Sequence, residues 1–132
     1  VGGGTAVANQ VYALSYDLGA MYSMSTTTGA ASFVGSTAMF FQGMAWDSTR
    51  NMMLAYNGGT LFSVDLTNAA LTPIVSFGGV ANFGMTYDAA RDRFWIADDV
   101  GRLLQVDPNA GYSVTLVGFL PIGHTCIAAI PE

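Results

Sequence analysis

The sequence has no lysine and a single cysteine. Its four basic residues are all arginine, against nine acids, and charged residues make up only 10% of 132 positions. An average soluble domain carries about 25%. The formal charge of −5 excludes a nucleic-acid binder of the usual kind, which needs basic residues to displace counterions from phosphate. With only Cys126, no intrachain disulfide is possible and the fold must stand on packing. One cysteine beside one histidine, His124, also excludes a closed zinc site, which needs about four ligands. No apolar run reaches the roughly 18 residues of a membrane helix, because Gly, Pro, Asn or Asp interrupts each one. There is no Asn-x-Ser/Thr sequon; the run Ser25-Thr26-Thr27-Thr28 leaves O-linked sugar open. Gly-x-Ser-x-Gly, a phosphate loop, His-Glu-x-x-His and the dinucleotide fingerprint are all missing, so the chain is not expected to be an enzyme and no cofactor is expected.

What is present is apolar. Hydrophobic residues make up 52%, and mean hydropathy is +0.42, which excludes disorder. The length fits one domain, 1–132, with one core. Thirteen charges cannot cover the surface of so small a domain, so apolar surface is left for contact with another chain. A homo-oligomer or homopolymer is therefore expected. A chain that starts at Val1 without methionine is expected to have lost an upstream segment. Acidity, missing lysine and abundant Ser, Thr and Gly lean toward a secreted, bacterial-type, extracellular protein.

Internal repeats decide the fold class. Gly43-Met44-Ala45-Trp46-Asp47 recurs 41 residues later as Gly84-Met85-Thr86-Tyr87-Asp88, and Arg50 recurs as Arg91. Leu61-Phe62-Ser63-Val64-Asp65 recurs at an offset of 42 as Leu103-Leu104-Gln105-Val106-Asp107, and matches Met21-Tyr22-Ser23-Met24 at 40. A period of 40–45 residues is that of a four-stranded propeller blade. The expectation is an all-β, β-propeller-like domain of three four-stranded antiparallel blade repeats, over about 5–38, 39–79 and 80–120. An extra terminal strand is expected within 121–132, at Cys126–Ile130. Each repeat alternates strands with turns such as Asp47–Asn51 and Asn57-Gly58-Gly59, whose residues bond their own backbone or tolerate positive φ.

The pattern Gly-Met-Ala-Trp-Asp, turn, apolar strand, then Leu-Phe-Ser-Val-Asp-Leu-Thr and a Val-containing last strand resembles the repeat of secreted bacterial β-propeller proteins. The resemblance runs from about Val11 to Phe119 and implies a fold rather than an activity. Ser25 departs from it, standing where Asp65 and Asp107 stand in the other repeats. A closed ring usually needs 4–8 blades. Three repeats therefore leave three solutions: a compact three-blade unit, a ring completed by several chains, or an open array whose ends neighbouring chains cover.

The terminal segments Val1-Gly2-Gly3-Gly4-Thr5-Ala6-Val7 and Ile127–Ile130 are candidates for self-association. Both suit one first-strand slot, so the segment left over is free to pair with a neighbouring chain. Trp95 with Arg93 and Arg102 is the candidate sugar site, an aromatic with charged partners. Trp46 and Tyr87 lack such company. Asp92, Asp98 and Asp99 form the densest acidic cluster and suggest either a weak calcium site or ordinary turn chemistry. Asp47 with Arg50, and Asp88 with Arg91, read as turn caps with a paired guanidinium. The function expected is that of a structural, self-associating subunit of an extracellular fibre, filament or surface layer. The alternative is a carbohydrate-binding lectin module that oligomerises into a propeller.

Overall fold

The computed structural model describes residues 4–7, 10–15, 17–57, 59–78, 84–121 and 127–129, with 4–7 described as backbone alone. The protein is all-β, built as three separate four-stranded antiparallel sheets, none of them closed into a barrel. Sheet 1 holds β1 (Gly4–Val7), β2 (Gln10–Leu14), β3 (Ala20–Ser25) and β4 (Ala31–Ser36). Sheet 2 holds β5 (Gly43–Asp47), β6 (Met52–Asn57), β7 (Thr60–Val64) and β8 (Leu71–Ser76). Sheet 3 holds β9 (Gly84–Asp88), β10 (Arg93–Ala97), β11 (Arg102–Asp107) and β12 (Ser113–Phe119), with one 3₁₀ turn at Pro108–Ala110. Each sheet is a simple meander in chain order. Among the described residues, the only proline inside a strand, Pro73, lies on the edge strand β8, where a missing N–H costs no ladder bond.

The repeat seen in the sequence is a repeat of register. Val11 pairs with Met24, Met53 with Val64 and Phe94 with Val106. Between the third and fourth strands the register slips once in every sheet, at Met21/Tyr22, Leu61/Phe62 and Leu103/Leu104. After each fourth strand one backbone bond recurs: Thr37 N–H to Gly19 C=O, Phe77 N–H to Gly59 C=O and Leu120 N–H to Gly101 C=O, at 2.6, 2.7 and 2.6 Å. The turn that enters β4, β8 or β12 is held by the same device each time. Asp65 Oδ1 accepts from Thr67 N–H (2.8 Å) and Asp107 Oδ1 from Asn109 N–H (2.9 Å). Ser25 Oγ replaces the carboxylate and accepts from Thr27 and Thr28 N–H.

The sheets pack face to face. β5 lies against β1 on one side and β9 on the other, so the first strands stand in the order β1, β5, β9. Strand alternation sends successive side chains to opposite faces. In sheet 2 both faces are covered. Met44, Met53, Ala55 and Val64 pack with Leu14 and Met21 of sheet 1. Ala45, Leu54, Tyr56 and Leu61 pack with Met85, Phe94, Ile96, Leu104 and Val106 of sheet 3. Burial falls from inner to outer strand: β5 is buried at four of five positions, whereas β12 has no buried residue. Phe33 on β4 and Phe119 on β12 are accordingly 63% and 73% exposed.

One expectation is corrected. Within the expected terminal strand, the described residues Ile127–Ala129 form no ladder. Sheet 3 already has its four strands, and among the described residues no further strand gives these three a partner. Val1, Gly2, Gly3, Ile130, His124 and Cys126 lie outside the described residues.

Candidate functional site

The charged side chains concentrate at the end of the sheets where the first strand turns into the second. Asp47, fully buried at the end of β5, accepts at Oδ1 from the N–H groups of Thr49 (3.0 Å) and Arg50 (2.9 Å). Its Oδ2 takes Arg50 Nη1 at 2.8 Å. Arg50 then reaches into sheet 3. Its Nη1 and Nη2 donate to Asp92 Oδ1 and Oδ2 at 2.7 and 2.8 Å, a bidentate pair, and Nη2 also donates to Asn109 Oδ1. Asn109 Nδ2 donates to Asp92 Oδ2, and the Tyr87 hydroxyl sits between Thr49 Oγ1 (2.5 Å) and Asp92 Oδ1 (2.7 Å). The Arg50 bonds, then those of Asn109 and Tyr87, hold the Asp92 carboxyl well below the usual carboxylate range. The Arg50 guanidinium is raised in turn, first by Asp92 and then by Asp47. This network pins sheet 2 to sheet 3.

The same motif one repeat later has an open side. Asp88 Oδ1 accepts from Arg91 N–H (3.2 Å), and Oδ2 takes Arg91 Nη1 (2.9 Å) and, more distantly, Trp95 Nε1 (3.4 Å). The Arg91 bond is the main cause that lowers the Asp88 carboxyl, opposed by desolvation. Thr86, Asp88, Arg91, Trp95 and Leu103 line a cleft of about 280 Å³ together with Ile127–Ala129. The cleft lies on the face of sheet 3 turned away from sheet 2, since Met85, Phe94, Ile96 and Leu104 occupy the inner face.

The candidate sugar trio is not brought together. Arg93 shares a strand and a face with Trp95, but its guanidinium is held by Asp107 Oδ2 (3.0 Å) and the Asp92 carbonyl (2.8 Å). Alternation along β11 puts Arg102 on the opposite face with Leu104 and Val106. There its Nε donates to the buried Asp98 at 2.5 Å, and its charge acts on the Tyr56 phenol. Burial is the larger influence on that phenol and pushes it up to about 12. Trp95 stands instead with Asp88 and Arg91. The pairing of Trp95 with Thr86 and of Arg93 with Asp88 across the β9–β10 hairpin is the signal that could have found them.

The acidic cluster is split as well. Asp92 precedes β10 and Asp98 follows it, so a five-residue strand separates them, on the order of 17 Å. Asp98 Oδ1 instead accepts from Arg102 N–H at 2.7 Å in its own hairpin turn. Among the described residues, no group of three His, Cys, Asp or Glu comes together. Of the terminal candidates, Gly4, Thr5, Ala6 and Val7 form β1 and pair within the chain, Val7 with Gln10 and Gly4 with Ala13. Ile127 lies against sheet 3. The two termini therefore occupy different places.

Among the described residues, two sheet faces have no other sheet packed against them. Sheet 1 turns Val11, Ala13, Tyr22 and Met24 outward, and sheet 3 turns Thr86, Trp95, Leu103 and Gln105 outward; all eight are half-buried. Register makes each a counterpart of a residue between sheets. Val11, Ala13, Tyr22 and Met24 correspond to Met53, Ala55, Phe62 and Val64, which pack toward sheet 1. Thr86, Trp95 and Leu103 correspond to Ala45, Leu54 and Leu61, which pack toward sheet 3. The sequence repeat held this signal, but only the register between strands makes it readable.

No family model matches the chain, and no curated protein matches it. In three dimensions it is similar, with a TM-score of 0.69, to a crystal structure of a protein of unknown function from Bacteroides thetaiotaomicron. The two are 13% identical over 86% of this chain. The chain spans about a third (32%) of that protein's length. At this identity the likeness is one of fold.

Proposed function

We propose that the chain is a self-associating structural subunit in which sheet 1 of one copy stacks on sheet 3 of the next. The observation that carries this reading is the match between the two uncovered faces. Each reproduces, position by position, one side of the interfaces buried around sheet 2. A second copy thus presents to Trp95 and Leu103 the kind of face that sheet 3 presents to Leu54 and Leu61. Such a contact is head-to-tail, and it makes a ring where the rotation closes and a filament where it does not.

Energetics favour closure. Fully burying a large apolar side chain is worth about 1.5–3 kcal/mol. The five large residues of one joint are already mostly buried, so each supplies about a third of that at most, which reaches only the lower end of the cost of about 4–15 kcal/mol for association. A single joint is marginal. A closed ring gains its last joint without a further loss of rigid-body freedom. Propellers close with 4–8 blades. Two copies of this chain supply six sheets and three supply nine, so a two-copy propeller is the ring that fits. An extracellular setting is part of the proposal and rests on the scarcity of charge. The chemistry proposed is contact, with no catalytic step.

A second reading, a glycan-binding module, is favoured by the Trp95 cleft, where an indole stands beside a carboxylate and a guanidinium. The two readings compete for one face. The deciding experiment compares the mass in solution of the wild type, Leu103→Arg, Met24→Arg and a control, Ser32→Arg, on the exposed β4. Stacking predicts association of the wild type and the control and a monomer for both face variants. Face variants that associate like the wild type overturn it. A monomeric wild type whose Trp95 fluorescence responds to oligosaccharide replaces it with the glycan reading.

A further inference from the structure

Resting on that stacking reading, we infer that the groove along β9 is a strand-accepting site for β1 of a second copy, and that Ile127–Ala129 occupies it in cis. The first strands set the pattern. β1 lies beside β5 and β5 beside β9, so the next place in the series is on the far side of β9. Thr86 marks that place, because it is the counterpart of Ala45 on β5, which is buried where sheet 3 covers it. In this chain the place is taken. Ala129 N–H donates to Thr86 Oγ1 at 3.2 Å. Ile127 also borders a second recess, lined with it by Met44, Ala45 and Trp46 of β5 and Met85, Thr86 and Tyr87 of β9.

The hold is light. Ile127 and Ala129 are half-buried, Ala128 is exposed, and the three residues form no ladder with β9. A segment held this way blocks the groove yet can leave it. β1 of the second copy arrives with a whole sheet behind it and covers Trp95 and Leu103 as well. The two occupants exclude one another, so the tail lowers the apparent affinity of the stack by the fraction of molecules whose groove is open. It also shields Trp95 and Leu103 in the single chain, since it closes one side of their cleft.

The test is sedimentation of the full chain, of a chain ending at Pro121, and of Thr86→Val, which keeps the shape of the threonine but removes the acceptor of the Ala129 bond. If the tail fills nine grooves in ten, the shortened chain associates at about tenfold lower concentration. Thr86→Val shifts the same way by a smaller factor, and it keeps the test decisive if the shortened chain does not fold. A peptide of residues 122–132, added in excess, returns the shortened chain toward monomer. A full chain that associates, with neither variant tighter, overturns the tail's role and leaves the stacking intact. Failure of every form to associate overturns both.

Discussion

Sheet 2 and its two neighbours share a sequence pattern, a strand order and a register slip, yet they differ in what covers them. Met53 on β6 is 1% exposed and Leu54 is fully buried. Their counterparts Val11 on β2 and Trp95 on β10 are half-buried. The difference lies in position in the stack, since among the described residues sheet 2 has a sheet on both faces and each neighbour a sheet on one. A repeat therefore fixes which way a side chain points, while the neighbouring sheet decides what that direction is worth. The outer faces of sheets 1 and 3 carry the register counterparts of side chains that sheet 2 has covered.

The largest expected contrast comes from paired core truncations, read by urea unfolding at a concentration where the chain is monomeric. Met53→Ala costs about 3 kcal/mol, as for a large-to-small change in a covered core. Val11→Ala, at the counterpart position, costs about 1 kcal/mol or less, because its face is open. Equal losses would break the comparison.

Two glycines sharpen it. Gly35 and Gly118 pair with Met21 and Leu103, at the same place beside the register slip. A Cβ on Gly35 would run into the backbone carbonyl of Asn68, in the β7–β8 turn of sheet 2, whereas a Cβ on Gly118 meets nothing within 4 Å. Gly35→Ala is expected to cost about 3 kcal/mol by overpacking. Gly118→Ala leaves the monomer within about 0.5 kcal/mol of wild type, but it weakens association, because the corresponding turn of the next copy would meet the new methyl. A Gly118→Ala chain that associates as well as wild type would show that the stacked joint does not copy the joint between sheets 1 and 2.

The two arginines give a smaller contrast. Arg50→Ala removes the inter-sheet pin and is expected to cost about 1–2 kcal/mol, the range for bonds to charged groups that are partly shielded. Arg91→Ala breaks a pair whose arginine side chain is 54% exposed and is expected to cost under about 0.5 kcal/mol. The pin also has a pH signature. Asp92 is held below its ordinary value, and an unfolded aspartate titrates near pH 4. Its stabilising contribution is therefore complete above about pH 5 and is lost as the pH falls through the unfolded value toward the folded one. Asp92→Asn should be less stable than wild type at neutral pH and lose less stability between neutral pH and pH 3. Parallel pH profiles would contradict the role given to Arg50.

The sheets were legible because strand repeats leave a mark at every position. The five residues Gly43–Asp47 and their copy Gly84–Asp88 coincide with β5 and β9. The irregular Ser25 keeps its turn because a hydroxyl accepts the same backbone bonds as a carboxylate. The site was legible only in part. Trp95 and the Asp88–Arg91 pair were each recognisable, but their meeting depends on which residues face one another across a hairpin. Arg102 was misassigned to Trp95 because nearness in sequence says nothing about the face of β11. The bond from Arg50 to Asp92 joins two repeats 42 residues apart, and no local pattern carries such a pairing. The terminal segments suited one slot by composition, and only the three-dimensional order of first strands separates β1 from Ile127–Ala129.

The most direct test of the central claim, that the uncovered faces of sheets 1 and 3 fit each other, is sedimentation equilibrium of the unmodified chain from micromolar to millimolar concentration. The account predicts a reversible rise from the 13.8 kDa of one copy to twice that mass, or to longer multiples if the stack runs on. A mass of 13.8 kDa at every concentration would contradict it.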